Sequence, residues 1–397
     1  MKVLVFYPGF IRRANGECFT SSIQLKSILL WSEYLDTLKV VTYESGDELV
    51  EHRIDISEFV DCLVPVKARK GWRGIVDFVR HARHLLETSR ANFDYIVLFD
   101  PYLENQLVHR HARRAGWPQV YRMTGRYDLW VYYSLKDRGM LMQILGKIYS
   151  CYLRWYQSKV MKQGLVVTDG DMDFVPATCR DKIGFVVESQ LTGDRPMENP
   201  YLHRVSDGVF RILSLSRIHP AKGIDCLIRA VAKLRNEGAS QLLLDIVGEP
   251  AAAYHDYYDH LKKLADELGV ADMVVFHGWV TFEERERFLS SASVLVVPSS
   301  DDADGVPKTV IEAMAVGIPV VASRVGGMKY LFAGTDSGGI LVPRNDPTAI
   351  AVTCAELMAD NNRANQLSNS GYRHAVSLTQ DVVIPELLRQ FSHRSRL

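Results

Sequence analysis

Short, apolar, β-branched runs recur along the chain with polar, helix-forming stretches between them. The first six are KVLVFY (2–7), LKVVTY (38–43), DYIVLF (94–99), QVYRM (119–123), GLVVTD (164–169) and IGFVVE (183–188). Strand runs spaced by helical segments predict a parallel sheet wrapped by helices. The rhythm stops over SQLTGDRPMENPYLHRVSDGV (189–209), which is polar, rich in Gly and Pro, and reads as a linker. It resumes with FRILSLS (210–216), LLLDIVG (242–248), MVVFHG (273–278), SVLVVPS (293–299), PVVAS (319–323) and GILVP (339–343). The expected fold class is α/β, two tandem Rossmann-like doubly wound domains facing a cleft. The expected bounds are 1–195 and 196–376, with a closing helix over 377–397. Ligands of such sheets bind at the carboxyl ends of the strands.

Composition narrows the function class. The 397 residues are 47% hydrophobic and 24% charged with a formal net charge of zero, which points away from a nucleic-acid binder or a disordered tail. No apolar run reaches the roughly 18 residues of a spanning helix, and MKVLVFYPGF reads as a first strand rather than a secretory signal. A cytosolic location is expected. The six cysteines, at 18, 62, 151, 179, 226 and 354, lack CxxC spacing, so neither a zinc site nor a disulfide framework is expected. TDGDMD (168–173) offers three carboxylates but, following a strand, reads as an interdomain loop rather than a metal site.

The zero net charge hides an asymmetry, because residues 62–168 hold 18 Lys or Arg against 7 Asp or Glu. The segment 66–86 carries Lys67, Arg69, Lys70, Arg73, Arg80 and Arg83 with Trp72 and Phe78. The segment 141–164 mixes aromatics with Lys147, Arg154 and Lys159. Such segments suit an anionic membrane surface or a polyprenyl diphosphate acceptor. They equally suit amphipathic helices packed on a sheet with basic outer faces.

The candidate chemistry lies in the second half. DADGVPKTVIEAMAVGIPVVASRVGG (302–327) reads as a loop and short helix between two buried strands. The helix start offers unpaired N–H groups and a positive dipole end, a natural seat for phosphate. Asp304 in the loop and Glu312 on the helix would border that seat. SRIHPAKGIDCLIRAVAKL (216–234) sets Arg217 and Lys222 around a Pro- and Gly-containing loop that follows the first strand of this half. A fork and a point charge there suit a diphosphate. Gly248 in DIVGEP (245–250) follows a buried strand, as where a ligand or chain approaches closely.

Taken in order, SRIHPAKG, VGE, FHGWV, VVPSSDDADGVPKTVIEAMAVGIPVVAS and GG resemble the second domain of retaining glycosyltransferases of family 4, which have the two-domain GT-B fold. The likeness covers residues 211–345 well and the first domain in outline. It implies transfer of a sugar from a nucleotide-diphosphate donor to an acceptor hydroxyl with retention, needing no metal or other cofactor. The implied acceptor is a glycan or lipid-linked carrier in cell-surface polysaccharide or lipopolysaccharide synthesis. Glu312 would hold the ribose hydroxyls and Asp304 the donor sugar, while Arg217 and Lys222 would neutralise the leaving diphosphate. Gly305, Val306, Pro307, Lys308, Thr309, Gly248 and, in the first domain, Gly16 would complete the donor site.

The chain departs from that pattern. Asp304 stands where the family has Glu, and VVESQLTGDRP replaces a Pro-Asn-Gly turn. In YRMTGRYDLW (121–130) Asp128 matches a family acid of catalytic role, but Tyr127 replaces the family His, whose role passes to Arg126, to Asp128 or to backbone groups. A sugar-nucleotide 2-epimerase and a non-catalytic sugar-nucleotide scaffold are the alternative functions. Closure about 189–209 is expected to exclude water from the reaction.

Overall fold

The computed structural model describes residues 1–14, 16–45, 54–100, 102–135, 139–163, 166–173, 175, 177–180, 183–187, 191, 208–250, 254–303, 305–334 and 337–395. It divides into two compact units, Met1–Val186 with Ile384–Leu397, and Val187–Val383. All but three residues of the expected linker, 189–209, lie outside the described residues.

In the first unit the described strands are β1 (Lys2–Ala14), β2 (Glu17–Thr20), β3 (Thr37–Glu44), β4 (Ile54–Asp55), β5 (Leu63–Lys67), β6 (Tyr95–Phe99), β7 (Gln119–Met123), β8 (Val166–Thr168) and β9 (Gly184–Phe185). The parallel sheet runs β5-β3-β1-β6-β7-β8-β9. Val3 to Phe6 and every residue of β6 are buried, as continuous apolar strands covered on both faces must be. β5 escapes sequence reading because Pro65 interrupts it. Among the described strands it pairs only with β3, Pro65 lying opposite Thr42, and an edge tolerates the missing N–H. The final helix, Gln380–Arg394, joins this unit from Ile384 onward, and Phe391 packs against Trp31 with ring centres 5.4 Å apart.

The second unit holds β10 (Phe210–Leu215), β11 (Leu242–Val247), β12 (Val274–Gly278), β13 (Val294–Val297), β14 (Val320–Ser323) and β15 (Gly339–Val342). The order is β12-β11-β10-β13-β14-β15 with every neighbour parallel. The helix Ile224–Asn236 buries Ile224, Leu227, Ile228, Val231 and Leu234, a three-and-four spacing that keeps one face on the sheet. Each such side chain contributes about 1.5 to 3 kcal/mol on burial. Because β11 and β13 flank β10 on opposite sides, the direction in which successive strands are added across the sheet reverses between β10 and β13. In open α/β sheets such a reversal of strand order is where ligands bind, outside the carboxyl ends of the strands. Among the described residues no helix is long and apolar enough to cross a membrane.

Candidate functional site

The two loops that leave the reversal point are held together by backbone. After β10 the chain runs through residues 216–223, and after β13 through 298–307. Ser300 N donates to Ala221 O at 2.8 Å, and Ser300 Oγ to Pro220 O at 3.3 Å. Gly223 has a φ of +65°, and a Cβ there would lie 2.0 Å from the Pro298 carbonyl oxygen. Gly248 has a φ of +135°, with a Cβ position 2.0 Å from Ser216 O. The close approach expected at Gly248 is thus made by the chain's own loop, and Gly248 N donates to Gly278 O at 2.8 Å.

Both candidate cations sit on the first loop. Arg217 is exposed, and Lys222 ends a one-turn helix, Pro220–Lys222, whose cap is His219 Nδ1 accepting from Ala221 N at 3.0 Å. The second loop leads through Gly305, buried Val306 and Pro307 into the helix Lys308–Ala315. Lys308 and Thr309 are its first two residues, and among the described residues no side chain caps it, which leaves its positive end suited to an anion. Asp304 lies outside the described residues. Its neighbour Asp302 accepts from Gly326 N at 2.9 Å and meets Lys329 at 3.3 Å and Arg344 at 3.6 Å, tying the second loop to the Gly-Gly turn after β14.

Glu312 is half-buried on the same helix, among buried Val310, Ile311, Ala313 and Met314. Its Oε2 lies 3.4 Å from Nη1 of Arg285, on the helix Phe282–Ser291. That guanidinium also sits 4.9 Å from the centre of the Phe282 ring. Arg285 has no counterpart in the sequence reading, because its own segment, TFEERERF, looks like a solvated helix start. The segment does begin with a Thr281–Glu284 capping box, which fixes the helix that presents Arg285.

The first unit gathers a second charged cluster at the carboxyl ends of β6, β7 and β8. Arg126 Nε and Nη2 donate to the two carboxylate oxygens of Asp128 at 2.8 and 2.6 Å, and Nη1 reaches Asp171 at 3.3 Å. Arg122, fully buried, meets Asp169 at 3.4 Å. The three carboxylates of 168–173 therefore do not form an interdomain loop. Two of them lie inside the first unit as partners of buried arginines, because parallel strands ending side by side bring 122–128 against 169–171. Asp128 is likewise the fork partner of Arg126 rather than a free acid. Tyr127, in the position of the family His, has its hydroxyl 2.5 Å from Thr124 Oγ1.

Asp100, which follows β6, was not singled out by sequence. It accepts from Gln157 Nε2 at 2.8 Å, but its Oδ1 is buried with no hydrogen-bond partner. Burial pushes its pKa up to about 7, against the Gln157 hydrogen bond that lowers it. Gly16 has a φ of +85° at the turn of the β1–β2 hairpin, where Ala14 pairs with Glu17, and open space surrounds its Cβ position. A positive φ at a hairpin turn favours glycine.

Residues 203–374 match the family model described as glycosyl transferases group 1. This stretch resembles a glycosyl transferases group 1 domain. It contains β10 to β15, the two clipped loops and the Glu312 helix. The D-inositol 3-phosphate glycosyltransferase of Salinispora tropica is 33% identical over 191 residues, 46% of this chain and 39% of that protein. The matched part of the chain thus spans about two fifths of that curated relative's length. Among solved structures, HepE of Anabaena in complex with UDP and glucose superposes with a TM-score of 0.65 at 16% identity over 100% of both chains. The sucrose-phosphate synthase of Thermosynechococcus elongatus superposes at 0.67 and 16%, covering 99% of this chain and 98% of that one. At those identities the likeness establishes the fold. The group 1 domain and a first parallel-sheet unit together give the two-domain GT-B architecture.

Proposed function

We propose that this protein is a glycosyltransferase that moves a sugar from a nucleoside diphosphate donor to an acceptor hydroxyl with retention of anomeric configuration. The observation that carries the reading is the reversal point of the group 1 domain. There the loop that carries Arg217 and Lys222 is clipped, through Ser300 and Ala221, to the loop that leads into the helix Lys308–Ala315.

Departure of the nucleoside diphosphate builds negative charge on its terminal phosphate. Two fixed cations and a helix start stabilise that charge without reorganising, and they need no metal to do so. Glu312 accepts from the ribose hydroxyls with Arg285 holding its carboxylate in place, and Asp304 binds the donor sugar. Gly305 to Thr309 and Gly248 shape the donor pocket. UDP is the expected nucleotide, on the strength of the HepE complex. The acceptor is a glycan or lipid-linked carrier of the cell surface, and the positive first unit, 18 Lys or Arg against 7 Asp or Glu over 62–168, holds the enzyme at an anionic membrane face.

The test is incubation with UDP-glucose and other nucleotide sugars, with and without acceptor extracts, in buffer containing EDTA. Release of nucleoside diphosphate together with an α-linked product from an α-linked donor is expected. Sugar epimerised without transfer would favour the epimerase. Donor binding without turnover under any acceptor would favour the scaffold.

A further inference from the structure

A cationic pocket lies in the first unit where the end of the helix Leu103–Arg114 meets the end of the helix Met140–Lys162. Its volume is about 310 Å³, and Arg110, Arg113, Arg114 and Lys159 line it together with Trp155 over a floor that includes Tyr156. Among the described residues no carboxylate lines it. All four cations are exposed, and none has an acidic partner among the described residues. Lys159 Nζ lies 5.1 Å from the centre of the Trp155 ring. Both helices end here, so their carbonyl ends would draw cations, yet four positive charges exceed what two helix ends require. The unused charge is what the phosphate groups of an anionic surface would neutralise.

The pocket also terminates an apolar stripe. Along Met140–Lys162 one face is buried through Leu153, Tyr156 and Val160, as the inner face of a packed helix should be. The opposite face is apolar as well. Leu141 is 71% exposed, Leu145 48%, Ile148 63% and Trp155 56%, at spacings of four, three and seven that set them in one line. Met140 and Ile144 widen it at the start of the helix. Lys147, Arg154 and Lys162 stand exposed along its border. Exposed leucine, isoleucine and tryptophan rimmed by lysine and arginine match a helix lying in a membrane interface.

We propose that the stripe and the pocket together seat an anionic phospholipid of a bilayer, the pocket taking the phosphate headgroup and the stripe lying against the acyl chains. Charge complementarity selects this occupant. A second copy of the chain pairing through the same patch would bring four cations against four cations. Nucleic acid would supply phosphates and leave the stripe in water. Strands and helices alternate in direction, so the pocket lies at the amino ends of the strands, away from the Arg126 cluster at their carboxyl ends. The seat therefore positions the enzyme on a surface and takes no part in the chemistry. This deepens the membrane reading of the first unit and rests on it.

The test is co-sedimentation of the full-length protein with vesicles of phosphatidylcholine, with and without phosphatidylglycerol, at low and high salt. The variants are R110A/R113A/K159A, the stripe variant L141S/I148S, and a second-unit control, K233A/K262A/K263A, that removes the same charge. All change exposed side chains, and thermal melting checks that each folds. Each basic group near an anionic surface strengthens binding about fivefold. The pocket variant should therefore bind phosphatidylglycerol vesicles on the order of a hundredfold more weakly, with the control unchanged. The stripe variant should lose the binding that survives high salt. Failure of the wild-type protein to bind anionic vesicles would overturn the membrane reading and this site together. Wild-type binding that the pocket variant retains, or that the control loses equally, would overturn the pocket alone. Stabilisation by inorganic phosphate without vesicle binding would mark a soluble anion site and overturn it too.

Discussion

Glu312 and Arg285 face each other at 3.4 Å across two helices of the group 1 domain. A carboxylate proposed to receive ribose hydroxyls is thereby aimed by a partner. Because that partner also sits over Phe282, the pair is stiffer than an exposed lysine contact would be.

Arg285→Ala should therefore weaken nucleotide binding by about tenfold, the cost of one lost charge-assisted contact. Glu312→Ala should abolish it in the accessible range. In a double-mutant cycle read by calorimetric titration, Arg285→Ala should add little once Glu312 is gone, because its effect passes through the carboxylate.

Gly223→Ala and Gly248→Ala should each destabilise the second unit. Each puts a Cβ 2.0 Å from a backbone oxygen in a conformation with positive φ. The expected cost is a few kcal/mol, seen as a lower urea midpoint with no nucleotide response. Gly16→Ala has open space around it and only its φ of +85° to strain, so about 1 kcal/mol is expected.

Replacing Asp128 by Ala should leave Arg126 buried without the carboxylate that takes both prongs of its fork. Breaking a buried pair from one side costs about 3 to 5 kcal/mol, so the first unit should unfold at distinctly lower denaturant. Arg126→Lys should also lose stability, because a point charge cannot span both oxygens of Asp128.

Asp100 makes the first unit sensitive to pH. Its folded pKa, pushed up to about 7 by burial, lies above the ordinary carboxyl value of 3.8. A raised folded pKa gives stability that is complete below the unfolded value and is lost as pH rises through the folded one. Between those two values the first unit should lose about 1.4 kcal/mol per pH unit from this group. Asp100→Asn should flatten the slope and be the more stable protein at pH 8, as urea midpoints at pH 5, 6, 7 and 8 would show. An unchanged slope would assign the pH dependence to other groups.

Much of the fold was legible because the strands are continuous apolar runs. Gln119–Met123 is found at its expected bounds, and Phe210–Leu215 and Gly339–Val342 within a residue. Leu63–Lys67 was hidden by its proline, and β1 runs to Ala14 because a bulge between Phe6 and Phe10 carries it into a hairpin. The loops around Arg217 and Lys308 could be read because glycine, proline and cations recur there in a local pattern. Pairs such as Arg285 with Glu312, or Arg122 with Asp169, could not be. Each joins residues from separate elements, and the arginine of each pair looks ordinary in its own segment. The unpartnered oxygen of Asp100 is of the same kind, since burial on a strand end depends on what the rest of the unit packs over it.

The measurement that tests the central claim most directly is a thermal-shift titration of wild type and Glu312→Ala with UDP, GDP, ADP, TDP and CMP. A nucleotide present at 100 times its Kd stabilises the folded protein by about 2.7 kcal/mol. UDP should raise the melting temperature of the wild type selectively, and the Ala variant, melting normally without ligand, should not respond. No response of the wild type to any nucleoside diphosphate, or an equal response of the variant, would contradict the donor site assigned to the reversal point of the group 1 domain.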